Sequence, residues 1–289
     1  MYKVAILGCE NSHADAFLNL IKAGLFPEIE VIGAYSKEPD ACKRIHDRFG
    51  TPIMEHYGDL QGQLDGVIIT ARHGVDHYAY AKPYLNDGIP MFIDKPITCS
   101  EAEALEFMQL AKEKGIRLCG GSNCAVKSEV LELAHIVRDE IYGPCRGGNL
   151  VCPTHENPMY GGFLFYTQHL VEVMTTIFGE QIQSVYAQRN GDLAISLIAR
   201  YPNFDVTASY LEKMGYYHIT VYTPKRPVSD DILNNNEGSV REMEDIMALL
   251  KGEPMKKSYE SFILPVFILN AIKRSTETGL WQDIPKIQL

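Results

Sequence analysis

The stretch VAILGCENSHADAF, Val4–Phe17, decides how the first half of this chain reads. Four apolar residues run into Gly8, as a buried strand runs into a dinucleotide-binding loop. The expected continuation is G-x-G-x-x-G opening a helix. Only the first glycine is present: Glu10 holds the second position and His13 the third. Gly8 allows the tight turn. Ser12 and Asp15 have the spacing of a capping box, which would satisfy the helix's own amides and set a carboxylate where a pyrophosphate would sit. Against this, a protonated His13 and the Ser12 hydroxyl can both donate to phosphate. The stretch therefore reads equally as a well-capped helix start or as a modified phosphate loop.

Outward from this loop, strand and helix patterns alternate through the first 120 or so residues. YKVAILG (2–8), EIEVIGAYS (28–36), DGVIITA (65–71), PMFID (90–94) and GIRLCGG (115–121) read as strands. Helical spacing falls between them at 15–24, 39–49, 75–86 and 100–114, the last opened by a Ser100/Glu103 capping box. Such alternation predicts right-handed crossovers and an α/β fold with a doubly wound parallel sheet, a Rossmann domain over 1–121. Beyond Gly121 the texture changes. After a helix over 127–141 and a strand over 146–152 comes a glycine-led helix, GGFLFYTQHLVEVMTTIFG. Strand-like runs near 182–188, 193–201, 204–211 and 216–223 follow with short turns, and helices over 238–251 and 259–277 close the chain. This predicts an α+β domain over 122–289 with an open, mostly antiparallel sheet.

The formal net charge is −10 and no basic run exists, which argues against a nucleic-acid or anionic-membrane partner. The chain enters its first strand at once, and no apolar run reaches membrane-spanning length. The seven cysteines are odd in number, with no C-x-x-C pair, and read as reduced thiols of a cytoplasmic protein. His13, His73, His77, His155 and His169 match no zinc signature, so no metal is expected. Where NAD enzymes carry an acid for the ribose, the second strand ends in Tyr35-Ser36-Lys37. A hydroxyl followed by a cation suits a 2′-phosphate, which favours NADP over NAD.

The segment DHYAYAKPYLNDGIPMFIDKPIT (76–98) resembles the Gfo/Idh/MocA family, named for glucose-fructose oxidoreductase and inositol dehydrogenase. His77 stands where that family has a histidine opening a helix, and Asp94-Lys95-Pro96 stands for its Glu-Lys-Pro. GGFLFYTQHLVEVMTTIFGE looks like the family's second motif, Gly-Gly, then Asp-x-Gly-x-His-x-x-Asp, then Phe-Gly-Glu. The tail AIKRSTETGLWQDI looks like its closing helix. Phe165 replaces the family's aspartate, Thr167 its glycine and Glu172 its second aspartate, while His169 matches.

The resemblance implies an NAD(P)-dependent oxidoreductase of a sugar, sugar acid or cyclitol. Lys95 would meet the substrate hydroxyl and nicotinamide, and His169 would take the proton, with Tyr166 as a second proton-bearing group beside the lost aspartate. Gly8, Cys9, Asn11, Ser12 and His13 would surround the pyrophosphate, with Ser36 and Lys37 at the adenosine ribose. Thr70, Ala71, His77 and Asp94 would line the nicotinamide side with Lys95. The open sheet would bury one face against a second copy, giving a homodimer or homotetramer. Phe165 and the missing glycines keep a second reading open, a non-catalytic sensor with weak cofactor binding. A lyase or hydrolase using transient oxidation is a third.

Overall fold

The computed structural model describes residues 1–154 and 162–289, and the chain divides into two compact units. Met1–Gly121, Asn236–Ile263 and Leu289 form the first, and Ser122–Asn235 with Leu264–Gln288 the second.

The first unit is built on five parallel strands: β1 (Tyr2–Leu7), β2 (Ile29–Tyr35), β3 (Gly66–Ile69), β4 (Met91–Asp94) and β5 (Leu118–Gly121). Their order across the sheet is β2-β1-β3-β4-β5. Strands β3 and β4 are buried at every position, which explains their apolar runs up to Ile69 and Ile93, with buried Asp94 ending β4. Helices α1 (Ser12–Lys22), α2 (Pro39–Phe49), α3 (His77–Ala81) and α4 (Glu101–Glu113) make the crossovers. The strand order reverses at β1 and β3, and open α/β sheets bind ligands at the carboxyl ends of strands at such a point.

Three expectations for this unit need correction. The helix expected over 75–86 is a 3₁₀ turn (Gly74–Asp76), the five-residue α3 and a second 3₁₀ turn (Lys82–Asn86). Pro83 within it cannot supply an α-helical amide. Helix α1 has Asn11 rather than Ser12 as N-cap, and no side chain caps it. Residues 236–263, expected with the second domain, belong to the first unit. Helix α7 (Glu237–Leu250) sets Met243, Ile246 and Met247 among Val4, Phe17, Ile68 and Phe92. Phe17 and Phe92 meet edge to face with ring centroids 5.2 Å apart.

The second unit holds a seven-stranded sheet. Its order is β11 (Pro227–Ile232), β10 (Tyr217–Tyr222), β6 (Gly147–Thr154), β9 (Asp205–Glu212), β8 (Ala194–Arg200), β7 (Ser184–Asn190) and β12 (Gln282–Asp283). All neighbours are antiparallel except the parallel β6–β9 pair. Residues alternate buried and exposed, as in β9, so one face carries the core. Leu150, Val185, Leu197, Val206 and Ile219 of that face belong to one apolar cluster with Leu133 of α5 (Ser128–Arg138) and Val171 and Met174 of α6 (Phe163–Phe178). Ile268 and Ile272 of α8 (Tyr259–Thr278) complete it. Strands β11 and β12 were not expected. PVSDDI is too polar to signal a strand, and it pairs along one side only, at the sheet's edge.

Candidate active site

At the end of β1, Gly8 has φ +91°, and a Cβ there would lie 2.1 Å from the Ala71 backbone nitrogen. Glycine is thus required for the β1 loop to touch the loop after β3. Thr70 pins the contact, its amide donating to Leu7 O (2.7 Å) and its hydroxyl to Gly8 O (3.1 Å). The capping box does not form because Asp15 turns to two arginines of α2, Arg44 and Arg48, the latter at 2.9 Å. Arg44 also donates to Cys9 O at 2.9 Å, a role the sequence did not signal. Cys9 is buried with its sulfur 3.9 Å from that of Cys42, and burial pushes its thiol well up. The exposed Ser12 contributes its hydroxyl to Asn11 Oδ1 at 3.4 Å.

Asn11 does not cap α1 because its side-chain amide donates to Asp94 Oδ2 at 2.9 Å. His13 Nδ1 meets the same oxygen at 2.9 Å, and Asp94 Oδ1 accepts from the Lys95 amide at 2.7 Å. The carboxylate ending β4 thus ties down the glycine-poor loop. Burial alone would depress His13, but the Asp94 carboxylate, aided by Glu242 of α7, raises it to about 9. Burial would likewise raise Asp94, yet His13, then Lys95 and His77, hold it at about 2. The helix start therefore carries an imidazolium and no side-chain cap, which fits an anionic pyrophosphate.

His77 is fully buried. Its Nδ1 faces Pro96 O at 2.6 Å and its Nε2 faces Ala71 O at 2.8 Å. Burial lowers its pKa despite nearby Asp94. It links the Ala71 loop to the Lys95–Pro96 turn, whose peptide bond is cis. Lys95 is itself 3% exposed.

At the end of β2, Ser36 donates to Glu10 Oε2 at 2.6 Å, and Lys37 pairs with Asp76 at 2.5 Å. Glu10 Oε1 accepts from the Arg72 amide at 2.8 Å, and the Arg72 guanidinium donates to Glu10 O.

In the second unit, His169 on α6 is 6% exposed, and its Nδ1 lies 2.7 Å from the buried Ser122 hydroxyl. Ser122, which the sequence did not single out, also accepts from the Cys124 amide at 3.2 Å. Tyr166 packs edge to face on His169 with centroids 5.4 Å apart, and burial raises its phenol. Phe165 and Tyr166 are half-buried. Glu172 is buried and accepts from Gln168 at 2.6 Å. Lys95 belongs to the first unit and Tyr166 and His169 to the second. Gly161 of the glycine pair and His155 lie outside the described residues. Among the described residues no three His, Cys, Asp or Glu side chains are grouped to hold a metal, and no helix is long and apolar enough to cross a membrane.

Residues 2–121 match the model of the Gfo/Idh/MocA family, described as an oxidoreductase family with an NAD-binding Rossmann fold. The Salmonella typhimurium protein named "Putative oxidoreductase YceM" is 29% identical over 91 residues, spanning 32% of this chain and 29% of that protein. Over the whole fold, the scyllo-inositol dehydrogenase of Lactobacillus casei, solved with NAD(H) and scyllo-inositol, superposes with a TM-score of 0.85. Identity is 13%, with 98% of this chain and 99% of that one covered. The myo-inositol 2-dehydrogenase of Lactobacillus plantarum gives 0.85 at 14% identity over 98% and 99% of the two chains.

Proposed function

We propose that this chain, whose residues 2–121 match the Gfo/Idh/MocA family model, is a nicotinamide-dependent dehydrogenase of a polyhydroxylated small molecule, a sugar, sugar acid or cyclitol. The observation that carries the reading is the uncapped start of α1 at the sheet's reversal point, with the His13 imidazolium fixed by Asp94. When bound there, the cofactor supplies the hydride chemistry. The protein's part is to bind, orient and move a proton. His13 and Ser12 hold the pyrophosphate, with Gly8, Cys9 and Asn11 shaping the loop around it. Thr70, Ala71 and His77 set the nicotinamide side. Lys95 donates to the substrate hydroxyl oxygen and steadies the developing alkoxide. His169, aligned by Ser122, accepts the hydroxyl proton, with Tyr166 beside it.

The inositol dehydrogenases with this fold support a cyclitol or related polyol as substrate. The protein is cytoplasmic in this reading. It pairs with a second copy through the sheet face opposite its helices, as a homodimer or homotetramer, without nucleic acid or membrane. Turnover of a panel of inositols, aldoses and sugar acids with NAD and NADP, followed at the nicotinamide absorbance, tests it. A sensor role is favoured by Phe165, which removes a carboxylate from the neighbourhood of His169. Cofactor binding without turnover on any member of that panel would select the sensor.

A further inference from the structure

Strand β2 ends without the acid that dinucleotide-binding sheets place there for the adenosine ribose. Ser36 holds that position, and a carboxylate stands beside it nonetheless. Glu10, on the loop after β1, brings Oε2 to 2.6 Å from the Ser36 hydroxyl, which donates to it. Its Oε1 accepts from the Arg72 amide at 2.8 Å. The Arg72 guanidinium also donates to the Glu10 carbonyl, so one residue fixes the glutamate at both ends. Each carboxylate oxygen has a second lone pair to offer.

We propose that Glu10 is the ribose-recognising acid of this chain and that it selects NAD over NADP. The inference rests on the dinucleotide-binding reading above. The charge missing from β2 is restored one hydrogen bond away, from the position where a glycine was expected. The cation that seemed to favour a 2′-phosphate is otherwise engaged, because Lys37 is paired with Asp76. Arg72 lies 3.6 Å from Glu38. The corner therefore sets three carboxylates, Glu10, Glu38 and Asp76, against two cations, Lys37 and Arg72. A neutral diol can donate to Glu10, whereas a phosphate dianion meets net negative charge at short range.

The test is calorimetric titration of the intact protein with NAD and with NADP, for the wild type, Glu10→Gln and Glu10→Gln/Ser36→Asp. The wild type should favour NAD. Losing a charged acceptor should weaken NAD by about 10-fold or more in Glu10→Gln. NADP affinity should hold or rise, so the preference collapses. Moving the carboxylate to β2 in the double variant should restore it. A wild type that prefers NADP overturns the inference whether or not the variants fold. So does an equal loss for both dinucleotides in Glu10→Gln, the mark of simple loop packing, or a preference that the variant leaves unmoved. Binding of neither dinucleotide to the wild type overturns the proposed function, and the inference with it.

Discussion

Replacing His13 with glutamine should flatten the alkaline limb of the protein's stability. The folded first unit raises His13 from 6.5 to about 9, chiefly against burial and through Asp94. A group with a raised folded pKa binds its proton more tightly when folded. Its contribution is complete below the unfolded pKa and is lost as pH climbs through the folded one. The full shift from 6.5 to about 9 corresponds to about 3 kcal/mol, one such quantity for the His13–Asp94 pair. Asp94, lowered from 3.8 to about 2, has the opposite sign: its contribution is present above 3.8 and lost as pH falls through about 2. The pair is therefore worth most between about pH 4 and 6.5. Urea unfolding curves of the wild type and of His13→Gln should diverge most near pH 6 and converge by about pH 9 to 10. Parallel stability curves for the two proteins from pH 6 to 10 would refute the buried ion pair.

Gly8→Ala should destabilise far more than Gly50→Ala. Both have positive φ, but a Cβ on Gly50 meets nothing within 4 Å while one on Gly8 meets the Ala71 backbone. About 1 kcal/mol of strain is expected at Gly50 and roughly 2–5 at Gly8, read as melting temperature, and equal losses would contradict the close approach. Lys95→Met should abolish turnover while cofactor affinity, measured by nicotinamide fluorescence, changes little. His169→Ala should lower the rate by roughly 10²- to 10⁴-fold, with the deficit shrinking as pH rises. Full activity in both variants would move the chemistry elsewhere. Light scattering at micromolar concentration should give at least a dimer mass, and a monomer would remove the proposed pairing of the open sheet face.

The parallel sheet was legible because strands covered on both faces read as near-continuous apolar runs. The second sheet was legible because one-sided burial imposes a period of two. The position of α7 was not, because an amphipathic helix shows that it has an apolar face without showing which surface covers it. The expected capping box failed for a similar reason. Ser12 and Asp15 have capping-box spacing, but spacing cannot reveal that Arg44 and Arg48 claim Asp15 or that Asn11 turns to Asp94. Glu10 showed only as a missing second glycine, since nothing local reveals that its carboxylate reaches Ser36 and the Arg72 amide. Ser122 carried no signal: a lone serine after a glycine pair becomes informative only when α6 brings His169 to it.

The central claim, that the modified loop still holds a nicotinamide dinucleotide, is tested most directly by titrating the purified protein with NAD and NADP up to millimolar concentration. Calorimetry should show saturable heat for at least one of them, with a matching rise in melting temperature, because a ligand that binds only the folded state stabilises it. Neither heat nor thermal shift with either dinucleotide would contradict the claim.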